Sequence, residues 1–119
     1  MSYLFPRQQR SFYVVGDLTL ISSSTPYLSL QELNFTGVMF KLGNAPAGSG
    51  STVVNVIRNG DVSDIVYSAT FNAGDTQVTS TTRTTTSVND ELSINISSLA
   101  SGYGGADLII AMDYYTKGF

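Results

Sequence analysis

The chain contains no cysteine, no histidine and no tryptophan, and only three prolines in 119 residues. Without cysteine it forms no disulfide, which says little about compartment, because any protein made in a reducing cytosol looks the same. The missing histidine excludes more. Histidine is the usual general base near neutral pH and the commonest metal ligand. With neither residue present, a Ser/His/Asp triad, a Cys/His dyad and an N/S zinc site are ruled out, and only carboxylate chemistry remains open. Charge is also scarce, at 13% of residues. The six basic residues, Arg7, Arg10, Lys41, Arg58, Arg83 and Lys117, are scattered. Replacing the counterions of a nucleic acid requires clustered Lys and Arg, so no nucleic-acid partner is expected at a net charge of −3 and a pI near 4.5. No apolar run approaches the roughly 20 residues of a membrane-spanning helix. The opening Met1–Arg7 lacks the basic-then-apolar order of a secretory signal. Neither a membrane partner nor a cofactor is expected.

Apolar residues make up 42% of the chain, and Ser and Thr supply much of the remaining polarity. That mixture suits a sheet whose outer side is hydroxylated rather than ionic. Seven Tyr, six Phe and eleven Gly argue against disorder. The length fits one domain, which buries roughly two-thirds of the surface its unfolded chain exposes.

Residues 1–11 read as an N-terminal arm, with a polar run Arg7-Gln8-Gln9-Arg10 and an apolar triplet Tyr3, Leu4 and Phe5. The triplet would dock on a neighbouring subunit or cover an edge of its own domain. Residues 12–119 read as a β-sandwich domain. Phe12–Ile21 alternates with Phe12, Val14, Leu18 and Leu20 on one face. After Ser22–Pro26, a short strand is expected within Tyr27–Leu33. Asn34–Leu42 places Val38, Phe40 and Leu42 on one face and Phe35 and Met39 on the other. Gly43–Gly50 is a loop, punctuated by Gly, Asn and Pro. Val-rich Thr52–Ile57 then meets Asn59-Gly60, the strongest short-range hairpin signal. The return strand Val62–Phe71 aligns Ile65, Tyr67, Ala69 and Phe71. Asn72–Asp75 is the next turn, and Thr-rich Gln77–Thr86 reads as an exposed edge strand or a long loop. In Glu91–Ser97, Leu92, Ile94 and Ile96 point in and Ser93, Asn95 and Ser97 out. Asp107–Tyr115 follows the Ser101–Gly105 loop, with Leu108, Ile110, Met112 and Tyr114 inward. Its other face carries Ile109, Ala111 and Tyr115, more apolar than solvent requires, so this strand is expected to be central or covered by another subunit. No helical stretch and no internal repeat appear, and the whole predicts an all-β antiparallel sandwich, jelly-roll-like or Ig-like.

The nine carboxylates are Asp17, Glu32, Asp61, Asp64, Asp75, Asp90, Glu91, Asp107 and Asp113. A glycosidase needs two of them flanking one sugar bond, and no pair stands in an unusual setting. Asp61, Asp75 and Asp90 fall in turns, where Asp bonds its own backbone. Calcium could be held by Asn59, Asp61 and Asp64 or by Asn89-Asp90-Glu91, yet neither group has the spacing of a known calcium loop. Ordinary turn chemistry is the favoured reading. Tyr103, in a Gly-rich loop, could stack on a sugar or simply close the end of the sandwich. Asn34-Phe35-Thr36 and Asn95-Ile96-Ser97 match the N-glycosylation pattern, by accident where no secretory signal precedes them. The Gly43–Gly50 loop lacks the Gly-Lys-Ser/Thr ending of a phosphate loop.

One set of features carries a family resemblance. Phe35–Leu42 opens it, followed by Ala45-Pro46-Ala47-Gly48 and a Val-rich strand ending Ile57-Arg58-Asn59-Gly60. Phe71-Asn72-Ala73-Gly74 comes next, then Val88-Asn89-Asp90-Glu91-Leu92-Ser93-Ile94, and Gly104-Gly105-Ala106-Asp107-Leu108 before the terminal strand. From Phe35 onward the layout resembles the small β-sandwich module of tailed-bacteriophage virion proteins, found in tail fibres, baseplate components and capsid decoration proteins. The module typically has Gly-Asp before its Leu, where this chain has Asp90-Glu91. The first thirty residues have no counterpart in it.

The resemblance implies a structural or binding module rather than an enzyme, and it carries no active-site residues. Within it, a capsid decoration (cement) protein bound to the major capsid protein is favoured, because no heptad, Gly-X-Y or collagen-like shaft of a fibre is present. Tyr3, Leu4, Phe5, Ile109 and Tyr115 are then the candidate partner contacts. The chain is expected in the virion, assembled in the host cytoplasm, as a homo-oligomer with a trimer as the guess. The alternatives are a tail fibre, spike or neck component, or a carbohydrate-binding module contacting host glycans through Tyr103.

Overall fold

The computed structural model describes residues 8–23, 27–28 and 31–116. Among them the chain forms nine strands and no helix: β1 (Gln8–Asp17), β2 (Tyr27–Leu28), β3 (Leu33–Asn44), β4 (Thr52–Arg58), β5 (Asp61–Phe71), β6 (Gln77–Ser80), β7 (Thr84–Thr86), β8 (Glu91–Ser98) and β9 (Ala106–Thr116). They make two antiparallel sheets. The first runs β1-β9-β3-β6 with β7 also on β3, and the second runs β2-β8-β4-β5.

The pairing is nested about the Asn59-Gly60 turn. Asn59 at φ 55° and Gly60 at φ 70° supply the two positive values of a type I′ hairpin between β4 and β5. Outward from it, β3 pairs with β6 and β7, β2 with β8, and β1 with β9. The chain is therefore one antiparallel ribbon, folded back at its middle and rolled until β9 also meets β3 and β8 also meets β4. That is jelly-roll topology. An Ig-like sandwich would pair the last strand with the one before it, whereas β9 lies between the first strand and the third.

The core fills the gap between the sheets with Phe35, Val38, Phe40, Leu42, Val54, Val56, Tyr67, Phe71, Leu92, Ile94, Ile96, Leu108, Ile110 and Met112, among others. Phe35 is its aromatic centre, meeting Tyr114 edge-on at 5.6 Å and Tyr67 at 6.5 Å between ring centroids. The Tyr67 hydroxyl escapes the apolar interior by donating to the Thr82 carbonyl at 2.6 Å, and burial pushes its pKa up.

Bulges and a strand end overturn three side-chain assignments made from simple alternation. A register shift between Phe35 and Gly37 turns Phe35 onto the same side as Val38, into the core. Shifts where β4 meets β5 leave Ile65 outside at 47% exposure and bring Val66 against the core instead. The irregular pairing between Val14 and Asp17, with Gly16 at φ 86°, closes β1 at Asp17, and in the non-strand segment that follows Leu18 is buried and Leu20 is not. In β3 and β5 the bulge adds one residue and reverses the parity of the strand beyond it.

Of the expected arm, residues 1–7 lie outside the described residues, Tyr3, Leu4 and Phe5 with them. Residues 8–11 are strand, since Gln8, Gln9, Arg10 and Ser11 pair with Tyr114, Asp113, Met112 and Ala111. The Thr-rich segment supplies the short edge strands β6 and β7, and β9 is central.

Candidate functional site

Four regions carry the residues singled out above: the two ends of the sandwich and the outer faces of the two sheets. At one end the 45–51 loop lies against the 101–105 loop. Ala47 N donates to the Tyr103 carbonyl, and Gly102 N and Tyr103 N both donate to the Ala47 carbonyl, at 2.9–3.1 Å. Ser49 and Ser101 bond through backbone and hydroxyls. The backbones approach so closely that a Cβ on Gly48 would sit 2.5 Å from Gly102 N, which is why glycine stands there. Thr52 Oγ1 donates to the Gly104 carbonyl and accepts from Ala100 N, locking the base of the loop. Tyr103 closes this end, half-buried, with its hydroxyl donating to Asp17 Oδ1 at 2.9 Å. That bond, with desolvation and the Asp17 and Asp107 charges, raises the phenol pKa. The polar tip a sugar would use is already engaged within the chain.

The opposite end gathers the turns considered for calcium. Asn59 Nδ2 donates to Asp90 Oδ1 at 3.1 Å, and Asn59 Oδ1 accepts from Glu91 N at 2.9 Å. Ser87 N donates to Asp90 Oδ2 at 2.8 Å, and the Arg58 guanidinium stands 3.8 Å from the same oxygen. The Ser87 bond above all, then Asn59 and Arg58, hold the Asp90 carboxyl below the usual range against the opposing effect of burial. Asp61 Oδ1 accepts from the hydroxyl and backbone of Ser63, which lowers its pKa likewise. These carboxylates are spent on turn geometry, and among the described residues no three His, Cys, Asp or Glu gather into a metal-binding group.

The outer side of β2-β8-β4-β5 carries a polar cluster that is internally satisfied, while Ile65 of β5 stands exposed beyond it. Asn55 Nδ2 donates to Asn95 Oδ1 at 2.9 Å, and Ser68 Oγ donates to Asn55 Oδ1 at 2.6 Å. Asn95 Nδ2 donates in turn to the carbonyls of Ile21 and Ser22. Ser23 and Ser93 join through their hydroxyls. The strand pattern predicts Ser93 and Asn95 on the outside. They do point outward, yet both are buried, because the chain after β1 lies alongside β8, bridging Ile21 to Ile96 and bonding to the two side chains through Ser22 and Ser23. This also fills the Asn95 amide of the sequon-like triplet.

The outer face of β1-β9-β3-β6 differs. Across it run the rows Tyr13–Ile109–Lys41 and Ser11–Ala111–Met39–Thr79. Tyr13 is 66% exposed, Val15 90% and Ile109 38%. Ala111 is nearly covered, and Tyr115 is half-buried further along β9. Tyr13 and Val15 escape a reading focused on β9, although β1 alternates Phe12, Val14 with Tyr13, Val15 and is visibly apolar on both faces. Beyond Met39 the β3 bulge opens a groove of about 520 Å3, lined by Gln9, Gly37, Met39, Arg83, Ala111 and Asp113 among others.

No family model matches the sequence, and no curated protein matches it. Among solved structures, a chain of the cyanophage Pam1 capsid asymmetric unit is similar, with a TM-score of 0.64 at 17% identity, over 98% of this chain and 89% of that one. A chain of the acidic stable capsid structure of Helicobacter pylori bacteriophage KHP30 is similar, with a TM-score of 0.61 at 12% identity, over 94% of each. At these identities the likeness is one of fold, and it extends over nearly the whole length of all three chains.

Proposed function

We propose that this chain is a non-enzymatic structural protein of a bacteriophage virion, and within the virion a capsid decoration (cement) protein bound to the major capsid protein. The observation that carries this reading is the near end-to-end fold match to chains from two phage capsid structures. The match covers 89% and 94% of those chains, so the likeness is to nearly whole chains from capsid structures. The chemistry agrees: no histidine or cysteine is present, and Asp61 and Asp90 are committed to turns. The contact residues in this reading are Tyr3, Leu4 and Phe5 before β1, and Ile109 and Tyr115 on the outer face of β9. The glycan-binding alternative has less behind it, since the Tyr103 hydroxyl is taken by Asp17.

The test is the copy number of the protein in purified particles, by quantitative mass spectrometry against the major shell subunit. A ratio comparable to the shell subunit is the expected outcome. A handful of copies per particle would move the protein to the tail or neck, and absence from the particle would sink the virion reading.

A further inference from the structure

Asn59 is the one asparagine of the chain that stands before a glycine. Asparagine is a thermolabile residue, because the main-chain nitrogen of the next residue can attack its side-chain carbonyl carbon, Cγ. The ring that closes expels Nδ2 as ammonia, and water then opens it to aspartate or isoaspartate. The step needs no co-reactant other than water. A following glycine favours it most, having no side chain to shield its nitrogen. Gly60 meets that condition: it is exposed, a Cβ on it would touch nothing within 4 Å, and its nitrogen makes no hydrogen bond among the described residues.

The fold keeps the reacting carbon out of reach. Asn59 Oδ1 accepts from Glu91 N at 2.9 Å, and Asn59 Nδ2 donates to Asp90 Oδ1 at 3.1 Å. Asn59 N also donates to the Glu91 carbonyl at 2.7 Å. Both ends of the amide are therefore held on the turn before β8, and Cγ cannot swing to Gly60 N without losing both side-chain bonds. Asp90 is itself fixed, by Ser87 N at 2.8 Å and by the Arg58 guanidinium at 3.8 Å. We propose that Asn59 is a latent self-modification site, held shut in the folded chain by the Asp90–Glu91 clamp and opened by unfolding. Once modified, the site cannot return. The atom in place of Nδ2 is then a carboxylate oxygen, which has no proton to donate and meets Asp90 as a like charge. The isoaspartate form also adds a main-chain carbon to a two-residue turn whose φ values are 55° and 70°. The clamp thus ties the central hairpin to β8 and fixes how long the chain tolerates being unfolded. This holds or fails independently of the virion role.

The test follows the peptide spanning Asn59-Gly60 by mass spectrometry while the full chain ages at neutral pH, folded in buffer or unfolded in guanidinium chloride. Two hydrogen bonds, one of them to a carboxylate, must break before the attack. Loss of the amide should therefore be about thirtyfold slower, or more, in the folded chain than in the unfolded one. Asp90→Ala removes the acceptor of Nδ2 and should speed the reaction in the folded chain about tenfold, with the circular-dichroism signal of the sheet kept. Asn59→Asp installs the product without ageing and should lower the urea midpoint at neutral pH. An amide lost as fast in the folded chain as in the unfolded one would overturn the proposal. So would a folded Asp90→Ala chain that ages no faster than the native one, or an Asn59→Asp chain as stable as the native one.

Discussion

On the outside of β2-β8-β4-β5, Asn55 and Asn95 are buried side by side, and every polar atom of the pair has a partner within the chain. On the outside of β1-β9-β3-β6, Tyr13, Val15 and Ile109 stand in solvent. The side chains of Tyr13, Lys41 and Asp113 there make no hydrogen bond among the described residues. The polar cluster is completed by the segment that follows β1, which lies beside β8 and whose Ile21 and Ser22 carbonyls accept from Asn95 Nδ2. Among the described residues, none lies over Tyr13 and Val15 on the second face. The contrast teaches that the two faces serve different ends. Polar groups buried against a packed segment are locked by low dielectric and contribute to stability and to register. Apolar groups left exposed contribute little to the stability of the chain itself.

Disturbing the finished face should therefore have the largest effect on stability. Asn95→Leu removes the acceptor of Asn55 Nδ2 and the donor to the Ile21 and Ser22 carbonyls, leaving buried groups unpaired. The expected loss is about 3 kcal/mol, at roughly 1–3 kcal/mol for each unsatisfied group. Urea unfolding measures it. Replacing Asn55 as well, as Asn55→Leu with Asn95→Leu, should cost less than the two single changes together, because a matched apolar pair strands fewer polar atoms. A strictly additive cycle would mean that the two amides act independently and that the face is not a network.

The second test lies where the two sheets meet. Arg58 of β4 donates from Nη2 to the Thr85 carbonyl of β7, in the other sheet, and approaches Asp90 in the turn before β8. The Asp90 carboxyl has a pKa below its unfolded value near 3.9, owing first to the Ser87 backbone bond. A depressed carboxylate stabilises the fold fully above the unfolded pKa, and that contribution fades as pH falls through the lower, folded value. The urea midpoint should accordingly drop below about pH 4, with Asp61 contributing in the same direction. Asp90→Asn should be weaker than the native chain at neutral pH and show a shallower acid decline. An unchanged acid limb would remove Asp90 from the account.

The smallest effect on stability is expected on the open face. Ile109→Thr and Val15→Thr should each shift the unfolding free energy by no more than about 0.5 kcal/mol, as for ordinary surface positions. If either costs several times that, the face is part of the monomer's own packing, and the contrast drawn above fails.

Much of the architecture was legible before any coordinates. The Asn59-Gly60 hairpin, the central apolar strand β9 and the alternation of Leu92, Ile94 and Ile96 follow from short-range chemistry: turn residues that accept positive φ, and side chains that alternate across a strand. The Thr-rich stretch gave its edge character away through its lack of apolar residues. At the candidate sites, Ile109 was legible as an apolar residue on the wrong face for a solvated strand, whereas Tyr13 and Val15 were masked by the apolar residues alternating with them.

By itself the sequence determined the class of fold, the main turns, and the chemistry that is out of reach for a chain without histidine or cysteine. These properties depend on residue type and on neighbours a few positions away. Only the tertiary structure decided that β9 lies between β1 and β3, that Phe35 points inward while Leu20 and Ile65 do not, and that Asn95 is buried. Those outcomes turn on which strand lies alongside which. A bulge forms where two distant strands need one extra residue to stay in register, and a polar side chain such as that of Asn95 is buried only when a remote segment comes to lie against it.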